Sequence, residues 1–123
     1  MKRKEVGFYI TRGTGFHIMF ENGYVVSVQF SPDSYCDNSR KEIPQYDRNS
    51  IVYCPNAEVA VWNEATVGER GYPELIEMPN FGGDTVGAYF TPKEVLGLIC
   101  WAASQTPTEN AQNNGRPSPN EEK

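Results

Sequence analysis

Histidine is represented once in this chain, cysteine three times, and no stretch of apolar residues is long. Each scarcity excludes something. Cys36, Cys54 and Cys100 show no Cys-x-x-Cys spacing and no close pairing along the chain, which fits reduced thiols better than a disulfide framework. A lone histidine offers no His-x-x-x-His pair, so neither a metal nor a cofactor is expected. No run approaches the roughly 18 consecutive apolar residues that a membrane helix requires. The basic start Met1-Lys-Arg-Lys gives way to Glu5 and a broken apolar run too short for a secretory signal. The expected address is cytoplasmic, with no membrane contact. A one-signed surface is also missing: 16 acidic and 11 basic residues are interspersed, giving a net charge of −5. Without a basic stripe, direct nucleic-acid binding is disfavoured. Glu58, Glu64, Glu69, Glu74 and Glu77 are scattered among Arg, Gly and Pro, which speaks against a nucleic-acid mimic.

What is present reads as one α+β domain over residues 1–105: a small antiparallel sheet of about five or six strands packed with one C-terminal helix. From Thr106 to Lys123 the only apolar residue is Ala111, so residues 106–123 are expected to form a disordered tail. Val6 to Arg12 is β-rich and ends in the turn signal Gly13-Thr14-Gly15. Glu21-Asn22-Gly23 then separates two β-rich runs. A two-residue turn there would mix Phe16, Ile18 and Phe20 with Ser27 and Gln29 on one face. A three-residue loop pairs Phe20 with Tyr24, Ile18 with Val26 and Phe16 with Val28, gathering the large apolar residues together. That register requires Gly23 in the left-handed conformation. His17, Met19, Val25, Ser27 and Gln29 fall on the other, semi-polar face.

A long loop follows from Ser31 to Asn49, and loops of this length are more often functional than decorative. Strand signals resume at Ile51 to Cys54 and at Ala57 to Glu64, where Ala57, Val59 and Val61 alternate with Glu58, Ala60 and Trp62. Residues 65–84 read as a loop with a short strand at Leu75 to Met78. Thr85 to Phe90 reads as a last strand leading into a helix. Thr91 caps that helix, Pro92 takes its first position and Glu94 completes a capping box; the helix should reach about Ser104. Val95, Leu98, Ile99 and Ala102 share one face, with Leu96, Cys100 and Ala103 beside it and Lys93, Gly97 and Trp101 outward.

The run Gly15 to Phe30 (GFHIMFENGYVVSVQF), with Tyr35-Cys36-Asp37-Asn38, Ala57 to Trp62 (AEVAVW) and Gly83 to Gly87 (GDTVG) ahead of a capped helix, resembles a group of small, uncharacterised bacteriophage and prophage proteins. The resemblance covers most of the ordered chain and brings no catalytic residues. It implies a setting in which small accessory proteins act by binding: blocking a host defence protein, sequestering a nucleotide signal, or modifying a host complex.

His17 alone titrates near neutrality and is the natural candidate for a general base; a hydrogen-bonded structural histidine is the plainer reading, because catalytic partners are not visible. In Tyr35-Cys36-Asp37-Asn38 a thiol stands beside an acid and an amide. The acid would raise the thiol pKa, so loop anchoring is preferred to chemistry, with Tyr35 and Cys36 tucked against the sheet and Asp37 and Asn38 making turn hydrogen bonds. Arg12-Gly13-Thr14-Gly15 could cradle a phosphate but joins strand to strand, without the helix N-terminus that makes such loops effective. Gly82-Gly83-Asp84 reads as a turn, although Asp84 with Asp33 or Asp37 would form a carboxylate cluster if the loops converged. Trp62, Trp101, Tyr46 and Tyr72 fall outside the patterned core, as interface aromatics do.

The expected function is therefore that of a non-enzymatic binding protein of phage or mobile-element origin, a counter-defence factor acting on a host protein or a nucleotide-type small molecule. Its binding residues would come from Trp62, Trp101, Tyr35, Asp37, Asn38, Tyr46 and Arg12. One alternative is a small hydrolase degrading nucleotides through His17 with a loop carboxylate, Asp33, Asp37 or Asp84; another is a virion structural or assembly module. Incomplete cover of the sheet further suggests a homo-oligomer burying Trp62 or Trp101.

Overall fold

In the computed structural model, residues 5–41, 53–66, 68, 71–78 and 84–107 are described. Five strands, β1 (Gly7–Ile10), β2 (Gly15–Met19), β3 (Tyr24–Gln29), β4 (Ala57–Asn63) and β5 (Val86–Phe90), precede one helix, α1 (Pro92–Ala103). The sheet is antiparallel throughout, in the order β1-β2-β3-β4-β5. This is the α+β architecture expected from the sequence.

The hairpin register follows from its faces. Phe16 pairs with Val28 and Ile18 with Val26. Phe20 N–H donates to the Tyr24 carbonyl at 2.9 Å, and Gly23 closes the three-residue loop at φ 91° with its N–H on the Phe20 carbonyl. Only a residue without Cβ holds that backbone cheaply. At the other end of β2, a Cβ on Gly15 would stand 2.0 Å from the Val28 carbonyl oxygen, so glycine permits β2 and β3 to approach there.

On one side of the sheet Val26, Val28, Ala57, Val59, Val61 and Phe90 form a core with Leu98 and Ala102 of α1 and with Met78. The helix is capped as its sequence dictates: Thr91 Oγ1 accepts the Glu94 N–H and Glu94 Oε1 accepts the Thr91 N–H. Trp101, expected to face outward, instead packs against this core with its ring edge-on to Tyr24 at 6.0 Å. Leu96, expected beside the core face, is 60% exposed.

Tyr53 and Cys54 carry no strand, unlike the expectation for 51–54, because Pro55 and Asn56 turn the chain into β4; residues 51 and 52 lie outside the described residues. The expected strand at Leu75 to Met78 is a single bridge, Leu75 to Trp62, with the Ile76 N–H on the Val61 carbonyl at 2.8 Å. It borders the half of β4 that β5 does not reach. Tyr46, the Gly82-Gly83 turn and the tail beyond Pro107 also lie outside the described residues.

The helix packs across β3, β4 and β5 and leaves β1 uncovered. Geometry demands it: a helix about 10 Å across, laid on strands about 4.8 Å apart, covers two or three of them.

Candidate functional site

The uncovered side creates an apolar groove. Its floor is Phe16, Val28 and Phe30, with Ala57 and Phe90; Pro92, Val95, Leu96 and Ile99 of α1 form one wall, and Tyr53 to Asn56 the other. It encloses about 390 Å³, and none of its lining residues is charged. The register carries the apolar surface outward. Ile10 lies opposite Phe16 and Phe8 opposite Ile18, on the same side of the sheet as the helix. Phe8 and Ile10 are 81% and 87% exposed. Covering such side chains is worth roughly 1.5–3 kcal/mol each, so this is the surface from which a partner has most to gain.

One wall of the groove is held by the loop after β3. Asn38 is buried, and its Nδ2 donates to the Phe30 carbonyl at 2.9 Å and to the Tyr53 carbonyl at 3.0 Å, which joins the end of β3 to the wall. Asn56 Oδ1 accepts the Asp37 N–H at 2.8 Å. The Tyr35 carbonyl accepts the N–H of Tyr89, which sits at φ 59° where β5 slips register against Ala57 to Val59. Cys36 is 1% exposed and donates to the Ser31 carbonyl at 3.6 Å. Burial, and secondarily the Cys54 thiol beside it, push the Cys36 thiol pKa up against the lowering effect of the Asn38 backbone. This motif anchors the loop, with two corrections: the Tyr35 side chain is not tucked in but 61% exposed, because its backbone and not its ring makes the attachment, and the Asn38 side chain and the Asp37 N–H bond to distant segments and not within a local turn.

The other side chains singled out by sequence are dispersed. His17 lies in the middle of β2 on the face away from α1, opposite Ser27, with its ring edge-on to Trp62 at 5.1 Å. Trp62 Nε1 donates to Glu64 Oε1 at 2.9 Å. Met19 and Val25 on that face are buried within the single chain. Asp37 stands at the opening of β4, whereas the Asp84 carbonyl accepts the Met78 N–H, before β5 begins opposite Ala60. The two acids thus sit toward opposite ends of the β4–β5 pair, and Asp37 does not join Asp84 in a carboxylate cluster. Arg12 is exposed at the tip of the β1–β2 turn at φ 51°, strand-to-strand as its sequence indicated. Among the described residues, no group of three or more His, Cys, Asp or Glu side chains is placed to hold a metal ion.

Sequence reasoning passed over Phe8, Ile10, Leu96 and Tyr53, the residues that shape the groove and its surroundings. Their apolar character was visible; which strands the helix covers was not. Compared with known proteins, the chain matches no family model, no curated protein and no solved structure.

Proposed function

We propose that this chain is a non-enzymatic binding protein whose groove receives apolar side chains of a protein partner. The observation that carries this reading is the uncharged groove between α1 and the sheet, running on to exposed Phe8 and Ile10. A nucleotide-type ligand suits it poorly, because a phosphate placed against this lining would lose its hydration without gaining a cation. The resemblance to phage and prophage proteins supports a host protein in the bacterial cytoplasm as that partner, and counter-defence as the biological role. The hydrolase alternative draws nothing from the arrangement of His17, Asp37 and Asp84.

The test is a pull-down from bacterial lysate with the wild type, Leu96→Glu and Trp62→Ala as baits, read alongside light scattering. Leu96 is exposed at the groove, so its charge change spares the core. The expected result is a protein retained by the wild type and by Trp62→Ala, and weakened about tenfold or more by Leu96→Glu. Equal retention by Leu96→Glu, or recovery of a nucleotide instead of a protein, overturns the reading. A dimer that Leu96→Glu dissociates would make a second copy the occupant, and co-purification with virus particles would favour the assembly module.

A further inference from the structure

Two of the cysteines that sequence keeps apart meet at the groove wall. Cys36 is fully buried and Cys54 half-buried, lining the groove. Cys54 Sγ donates to Asn56 Oδ1 at 3.7 Å, the same oxygen that accepts the Asp37 N–H at 2.8 Å. Next to it, Asn38 Nδ2 holds the Tyr53 carbonyl at 3.0 Å, so the two bonds bracket Cys54 and both follow directly after Cys36. The chain is therefore tied from 37 to 56 and from 38 to 53, which brings the segments of Cys36 and Cys54 alongside each other, near enough for the Cys54 thiol to help raise that of Cys36. Cys100 stands apart, exposed on α1.

We propose that Cys36 and Cys54 are a dithiol modification site, closed to an intramolecular disulfide by a low-molecular-weight disulfide oxidant of the glutathione type. This does not depend on the binding reading. Cys54 is the accessible sulfur and reacts first. Its thiolate attacks one sulfur of the oxidant, the oxidant's S–S bond breaks, one small thiolate leaves, and a mixed disulfide remains on Cys54. Cys36 then gives its proton to solvent, and its thiolate attacks Cys54 Sγ and expels the second small thiolate. The two protein thiols are oxidised by two electrons, which the oxidant's disulfide takes up. Because burial raises the Cys36 thiol, closure is the slow step and accelerates as pH rises. Closure pins the loop after β3 to the groove wall and removes the Cys54 thiol from the lining.

The experiment treats the folded full chain with oxidised glutathione, quenches by acid, alkylates, and maps peptides without reduction. The expected product is a Cys36–Cys54 cross-linked peptide from protein whose mass has fallen by two hydrogen atoms, with closure speeding about tenfold per pH unit below the thiol pKa. In Cys54→Ser, at a half-buried position that spares the core, the cross-link vanishes and Cys36 stays reduced. Stable glutathione on Cys54 of the wild type with no cross-link, or disulfides running only through Cys100, overturns the proposal.

Discussion

Asn22, Asn38 and Asn56 each join backbone or side-chain groups that lie far apart in sequence. Turn formation was legible for residues of this type in loops, since short amides commonly bond nearby backbone. Their long-range bonds were not, because nothing in a local window says which distant carbonyl will arrive. The same holds for Cys36. Its anchoring role could be read from the acid and amide beside it, whereas the nearness of Cys54 depends on a fold that returns the chain to the same place. The buried thiol has a consequence in pH. Its folded pKa lies above the unfolded one, so its contribution is intact below the ordinary value of an unfolded thiol and is lost as pH rises toward and through the folded value. In that window the unfolded chain releases a proton that the native chain still holds. Urea unfolding of the wild type and Cys36→Ala across this range should show the wild type's advantage shrinking with pH; a constant difference would falsify the linkage.

At the scale of elements, the hairpin and the helix start were the most legible parts. Phe16, Ile18 and Phe20 admit only one register that keeps them with Val26 and Val28, and Thr91-Pro92-Lys93-Glu94 specifies a helix start from local bonds alone. Less legible were Leu75 to Met78, where one bridge to Trp62 replaces a strand, and the outward assignment of Trp101, which ignored the ring of Tyr24 waiting on β3. The turn between β2 and β3 also does more than reverse the chain. Asn22 is buried; its Nδ2 donates to the Ala102 and Gln105 carbonyls at 2.8 Å each, while its Oδ1 accepts the Tyr24 N–H. It therefore ties the β2–β3 turn to the last turn of α1 and to Gln105 just beyond it. Asn22→Ala should cost about 2–3 kcal/mol in chemical denaturation, since it removes three hydrogen bonds made by one buried side chain. A loss below about 0.5 kcal/mol, the range of ordinary surface changes, would show that the turn and helix end are not clamped.

For the whole molecule, the fold class was legible because strand-like alternation and one capped helix leave few ways to bury a core. The groove was not, since it comes from a mismatch between one helix and five strands that no single segment records. The order of the elements carries a further consequence, for the time course of folding. Every strand pairs with its neighbour in sequence, so loop closure between successive strands is entropically modest, and the sheet can assemble in steps. The helix that shields it is encoded after all five strands, and the expectation is that the apolar face carrying Val26 and Val59 assembles before its cover docks. Core truncations should then divide by element. Val26→Ala should mainly slow refolding, while Leu98→Ala, costing roughly 2–5 kcal/mol, should act mostly by speeding unfolding in stopped-flow kinetics. If Leu98→Ala slowed refolding as much as Val26→Ala, helix and sheet would form together, and the chain would be spared any interval in which its apolar face stands bare to other chains.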